Sequence, residues 1–168
     1  RDHAAFGFDL PSVRERLDRL DEQAAAVRAL LDGRVVTTDG RWVRMDRAVN
    51  DPAPVGRLPL MIGGSGEKRT LRIVARDADA WNGEGEPAEW ARRAAVLDAH
   101  CHDLGRDPAV IRRTAGVPPL HVRASRAEAK RSLAAILERN AIPAREAAAT
   151  AEADPLAGTL DEVVVTLR

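Results

Sequence analysis

The apolar residues Val13, Leu17, Leu20, Ala24, Val27 and Leu31 follow one another at spacings of 4, 3, 4, 3 and 4. That stripe predicts an amphipathic helix. Pro11-Ser12-Val13-Arg14-Glu15 supplies a capping box at its start, and Gly33 a stop at its end. The pattern then changes. Val35 to Met45 reads as a β-hairpin, with Asp39-Gly40 as a two-residue turn that sets Val36 opposite Val43. Asn50 to Pro59, with Pro52, Pro54, Gly56 and Pro59, reads as a loop.

Leu60-Met61-Ile62 is a short, wholly apolar strand running into Gly63-Gly64-Ser65-Gly66. Glu67 to Arg76 reads as a helix with Leu71, Val74 and Ala75 inward. Ala78-Asp79-Ala80-Trp81-Asn82 is a second short strand. From Pro87 a further helix carries Trp90, Ala94, Leu97, Cys101 and Leu104 on one face and ends at Gly105. A third strand is predicted over Thr114 to Val122, although Pro118-Pro119 removes two backbone donors within it. Ser125 and Glu128 cap the next helix, with Ala129, Leu133, Ile136 and Leu137 inward. Ala141 to Asp154 is Ala-rich and weakly patterned. Thr159 and Glu162 form a capping box ahead of Val163, Val164 and Leu167. Strands alternating with helices predict an α/β fold with a parallel sheet, the hairpin being an insertion.

Composition narrows the function classes. The chain has 168 residues, one domain's length, with 26 Lys plus Arg against 26 Asp plus Glu. Zero net charge argues against nucleic-acid partners, whose binders are basic. It also gives no attraction to an anionic membrane. No apolar run approaches the ~20 residues of a membrane span. A single cysteine, Cys101, excludes a disulfide framework and a cysteine-based zinc site, and a cytoplasmic protein is expected. The chain opens at Arg1 without Met and closes two turns into a helix, which reads as a fragment of a longer polypeptide.

The richest segment for chemistry runs from Leu60 to Thr70: strand, Gly-rich turn, helix start. Glycines let backbone N–H groups approach an oxyanion, and a helix N-terminus adds unpaired donors and partial positive charge. Lys68 and Arg69 add full charges, so phosphate is the natural guest. The segment is not a P-loop, because Glu67 separates Gly66 from Lys68 and Arg69 follows. It is two-thirds of a dinucleotide fingerprint, with Arg69 where the third glycine belongs. The alternative is that the glycines only build a tight βα turn. Trp81-Asn82 ends a predicted parallel strand, where α/β proteins place ligands; Trp81 capping the core is the competing reading. His100 and His102 flank Cys101 without an acidic partner at metal-site spacing and read as a solvated face. Cys101 and Trp90 lie on the apolar stripe and read as core.

Ile62 to Ala75, followed by Ala78-Asp79-Ala80-Trp81-Asn82, strongly resembles the bacterial luciferase-like monooxygenase family, in particular its deazaflavin branch. The likeness continues in Ala5-Phe6-Gly7-Phe8, Arg16 to Glu22, Gly40-Arg41-Trp42, Asn50 to Val55, Gly105 to Arg113 and Gly158 to Val164, and so covers nearly the whole chain. It implies a (β/α)8 barrel, of which about 250 residues is the usual size. The chain then holds strands five to seven of one domain, a partial barrel with an insertion at about 33–57. The resemblance implies a phosphate site at Gly63, Gly64, Ser65 and Gly66 through backbone donors, with Lys68, Arg69 and Thr70 nearby. It places Trp81 and Asn82 beside the cofactor ring. The implied cofactor is the deazaflavin coenzyme F-420, with FMN as the alternative. The implied partners are a small-molecule substrate and, as an open alternative, further copies of the chain. The residues that meet substrate belong to the first four strands, so no catalytic residue is named. A non-catalytic phosphate-binding α/β domain and a degenerate remnant are the competing functions.

Overall fold

The computed structural model describes residues 2–116 and 120–167. They divide into two compact units, Arg1–Gly116 and Val117–Arg168.

The first unit begins with a short helix α1 (Asp2–Ala5), followed by α2 (Val13–Leu31). Ser12 caps α2 by accepting the Glu15 N–H at 3.2 Å. The buried face of α2 is rotated from the predicted stripe. Val13 and Val27 are exposed, while Ala24 and Arg28 are buried. Arg28 turns inward because Asp79, 2.7 Å away, and the Leu58 carbonyl, 3.3 Å away, receive its guanidinium. An Arg thus occupies a core position that periodicity gives to an aliphatic residue.

Strands β1 (Val36–Asp39) and β2 (Arg44–Ala48) form the antiparallel hairpin. Its register differs from the predicted one: Val36 faces Ala48, and Asp39 faces Arg44. The Glu22 carboxylate of α2 sets this longer turn. It accepts the N–H groups of Arg41, Trp42 and Val43 at 3.2, 2.7 and 2.9 Å. Three donors on one carboxylate favour a four-residue loop over the tight Asp-Gly turn. Arg19 and Arg41 lie against the Trp42 ring, 4.4 and 4.6 Å from its centroid.

Then come β3 (Met61–Gly63), α3 (Thr70–Asp77), β4 (Ala80–Gly83), α4 (Pro87–Asp103) and β5 (Arg112–Ala115). The sheet order is β3-β4-β5, all parallel, with Ile62 facing Trp81 and Trp81 facing Arg113. This is the expected arrangement for the first two predicted strands and the start of the third. The core lies between this sheet and its helices: Ile62, Leu71, Val74, Trp81, Leu97 and Cys101. Each such aliphatic side chain contributes about 1.5–3 kcal/mol through removal from water. Helix α3 starts three residues later than predicted, since Glu67–Arg69 form a turn.

The third predicted strand is two strands. Its start belongs to β5, and its end, β6 (His121–Val122), pairs in parallel with β7 (Ala157–Gly158) in the second unit. Pro118 and Pro119 lie outside the described residues. Two adjacent residues without N–H groups cannot carry a continuous ladder, which fits the division. The second unit also holds α5 (Arg126–Arg139), α6 (Ala144–Ala153) and α7 (Leu160–Thr166). The Ala-rich stretch forms α6, burying Ala147 and Ala151. The predicted caps at Ser125 and Thr159 are both present.

Candidate functional site

The carboxyl end of β3 passes into α3 through Gly64-Ser65-Gly66-Glu67-Lys68-Arg69. The carbonyls of Gly64, Gly66, Glu67 and Arg69 in this loop are engaged by the fold. The Trp81 indole N–H donates to the Gly64 carbonyl at 2.8 Å. The Leu71 N–H donates to that of Gly66 at 3.0 Å. His100 Nε2 lies 2.7 Å from the Glu67 carbonyl. A carbonyl only accepts, so Nε2 carries the proton there.

The N–H groups of the loop are treated differently. Gly64 donates to the Asn82 carbonyl at 3.1 Å, which extends the β3–β4 ladder. Its N–H is therefore spent within the sheet and drops out of the expected donor set. The N–H groups of Ser65, Gly66, Glu67, Lys68, Arg69 and Thr70 meet no protein acceptor among the described residues. Helix α3 has no side-chain cap and no acidic residue in its first turn. Unpaired donors at a helix start hold partial positive charge and suit an anion.

Thr70 begins α3 and packs against Gly64 and Gly66 of the loop. It is 6% exposed, and its hydroxyl bonds to no described residue. A Cβ on Gly66 would stand 2.7 Å from Thr70 Oγ1, and one on Gly64 3.3 Å from Thr70 Cγ2. Gly64 also has φ of +127°, a conformation L side chains resist. Both glycines are thus needed for the backbone to close over Thr70.

The side chains around the loop divide in role. Lys68 is exposed and makes no ion pair among the described residues. Arg69 is committed to Asp18 at 2.7 Å. The carboxylate of Glu67 meets Arg92 at 2.6 Å. That hydrogen bond holds the Glu67 carboxyl below its usual range, outweighing its partial desolvation. Asn82 is half-buried, and its Oδ1 accepts from Thr114 Oγ1 at 2.8 Å. Its NH2 meets no acceptor among the described residues.

Of the two readings of Trp81, the structure bears out the one that caps the core. Trp81 is fully buried and stacks on Trp90, ring centroids 5.5 Å apart at 22°. It therefore does not line open space here; it braces the loop through Gly64. His100 is also not the solvated residue the sequence suggested, since it is half-buried and holds Glu67. Sequence spacing places His100 thirty-three residues from Glu67, so only the packing of α4 on α3 reveals the contact. Cys101 is buried core as expected, and burial pushes its thiol above the usual range.

At the opposite end of the sheet, Asp79 gathers Arg28, Arg57 and the Leu60 N–H. Burial opposes its charge, yet the hydrogen bonds from Arg57 and Leu60 outweigh this and keep its carboxyl low. This knot fixes the start of β3 and β4.

Residues 2–163 match the family model described as luciferase-like monooxygenase. The chain belongs to the luciferase-like monooxygenase family. Over 76 residues it is 35% identical to the F420-dependent glucose-6-phosphate dehydrogenase of Nakamurella multipartita, covering 45% of the chain and 22% of that protein. Over 100 residues it is 28% identical to the F420-dependent hydroxymycolic acid dehydrogenase of Mycobacterium tuberculosis, covering 60% of the chain and 28% of that protein. Among solved structures it resembles an F420-dependent secondary alcohol dehydrogenase in complex with an F420-acetone adduct. The TM-score is 0.68 at 18% identity, over 95% of the chain and 54% of the other. It also resembles riboflavin lyase with modified FMN and riboflavin, at a TM-score of 0.62 and 19% identity, over 81% and 35% of the two chains. These likenesses establish the α/β fold of the family. The chain spans about half the length of the first of these structures, and less than a third of each curated relative lies in the matched segment. No helix among the described residues is long and apolar enough to cross a membrane.

Proposed function

We propose that this chain carries the cofactor-phosphate segment of a flavin- or deazaflavin-dependent oxidoreductase. In this reading β3, β4 and β5 are successive strands, five to seven, of a (β/α)8 barrel. The observation that carries it is the run of unengaged N–H groups from Ser65 to Thr70 at an uncapped helix start, closed over the Thr70 hydroxyl. Gly64 and Gly66 leave no room for side chains there, which suits a group bound close to the backbone.

The deazaflavin coenzyme F-420 is the first choice of cofactor, because both matched curated relatives are F420-dependent by name. FMN is the alternative, as in the riboflavin lyase neighbour. The cofactor ring, when bound, supplies hydride transfer or oxygen activation. The chain's own residues bind and orient it. Ser65, Gly66, Glu67, Lys68, Arg69 and Thr70 hold the phosphate through their N–H groups, with the Thr70 hydroxyl beneath. The Lys68 ammonium adds attraction from the surface. The Asn82 NH2, near the carboxyl end of β4, is free to meet the rest of the cofactor. The substrate is a small molecule, and the protein works in the cytoplasm. The isolated chain does not turn over, since a site normally buries most of its ligand and open sheet edges favour self-association over closure.

Comparing FMN with riboflavin tests this directly, as the two differ by the phosphate alone. Titration followed by flavin fluorescence should show FMN binding at least about tenfold tighter, the worth of charge-assisted hydrogen bonds. Equal affinity for both would remove the phosphate site.

A further inference from the structure

We infer that His100 and Arg92 of α4 are positioning residues for this loop, fixing the direction of its N–H groups without touching the ligand. The inference rests on the phosphate reading above and names what aims the donors.

In a trans peptide the C=O and the following N–H point in opposite directions within one plane. Holding a carbonyl therefore aims the next N–H. Three planes of the loop are held in this way. Trp81 holds the Gly64 carbonyl at 2.8 Å, so the Ser65 N–H points away from Trp81. Leu71 holds the Gly66 carbonyl at 3.0 Å, which sets the Glu67 N–H. His100 holds the Glu67 carbonyl at 2.7 Å, which sets the Lys68 N–H. Glu67 is held a second time, by Arg92 at 2.6 Å through its carboxylate. Residues 92 and 100 lie two turns apart on α4, so one helix grips both ends of one loop residue. The turn Glu67–Arg69 precedes α3 and takes no backbone hydrogen bond through its own N–H groups among the described residues. Without the grip of α4, the Glu67–Lys68 plane is free to rotate, and an anion must then bear the cost of ordering it.

The test uses inorganic phosphate as probe, followed by the amide signals of the loop. His100→Phe keeps ring bulk and removes the donor. It should weaken phosphate binding about threefold to tenfold, the worth of one neutral hydrogen bond, and abolish the response of the Lys68 amide. His100→Gln returns a donor near the Nε2 position and should restore both, even if the two variants melt at the same reduced temperature. Arg92→Met, at an exposed side chain, should weaken binding about twofold to threefold and needs no core change. Wild-type affinity in His100→Phe, or no rescue by His100→Gln, overturns the positioning role. If His100→Phe does not fold, wild-type affinity in Arg92→Met overturns it. A wild-type chain whose loop amides ignore phosphate defeats the phosphate reading itself, and this inference with it.

Discussion

Helices α3 and α7 each follow a parallel strand that ends in glycine, yet their first turns are finished in opposite ways. At α7 the chain satisfies itself. The Thr159 side chain accepts the Glu162 N–H at 3.4 Å, and Glu162 accepts the Thr159 N–H at 2.9 Å. At α3 there is no cap, no acidic residue, and a run of free donors. The carboxyl end of α3 is by contrast well closed, with Arg106 donating to the Ala75 and Ala78 carbonyls at 2.9 and 2.6 Å. A helix held so firmly at one end and left open at the other fits the proposed phosphate site. The difference separates a turn that satisfies its own donors from one that leaves them open, as the proposed function requires.

Changes at the two helix starts should therefore have opposite readouts. The largest effect is expected from Gly66→Val, which drives a side chain into Thr70 and into the space for the anion. Phosphate or FMN binding should disappear, with a stability loss of about 1–3 kcal/mol from overpacking; calorimetric titration and urea melts report the two separately. Thr159→Ala should cost about 1 kcal/mol of stability, as a lost N-cap does, and leave phosphate affinity unchanged. A fall in affinity there would end the contrast.

Thr70→Val is the sharper probe. Removing a hydroxyl that no described residue pairs should leave stability within about 0.5 kcal/mol. Phosphate affinity should fall by roughly threefold to tenfold, one hydrogen bond's worth. Equal affinity would mean the hydroxyl does not face the ligand.

The smallest effect is acid sensitivity at α7. The Thr159 N–H, with Arg126, holds the Glu162 carboxyl below its usual range. A depressed carboxyl stabilises fully above the unfolded value of about 4.3 and loses this as pH falls through the lower folded value. Urea midpoints should drop on acidification through that window, and by less in Glu162→Gln. Identical pH profiles would deny the box any role.

The parallel order β3-β4-β5 was legible because short apolar runs alternate with strong helical stripes. The Gly63–Gly66 turn was legible because three glycines and a serine directly after a short apolar run are turn-forming residues. Three things were not. The inward turn of Arg28 depends on Asp79, fifty-one residues away, and no local period encodes it. The hairpin register follows from a carboxylate on another helix, Glu22, overriding a local turn preference. The role of His100 depends on which face of α4 meets the loop. Each miss is a long-range polar contact, where sequence patterns speak mainly of apolar burial. Gly64 shows the same limit in reverse, since its N–H looked available and belongs to the sheet.

The Asp79 knot has a further consequence for the inserted hairpin. Arg57, just after the insertion, pairs with Asp79 and lies 3.7 Å from Asp32, just before it. Arg28 bridges the same two carboxylates. The two ends of the inserted stretch are thus clasped at one fixed point, independent of what lies between them. Loop closure costs grow only slowly with length, by about 0.6 kcal/mol per doubling. A change of length in the stretch between Gly33 and Gly56 is therefore expected to leave the start of β3 where the clasp holds it.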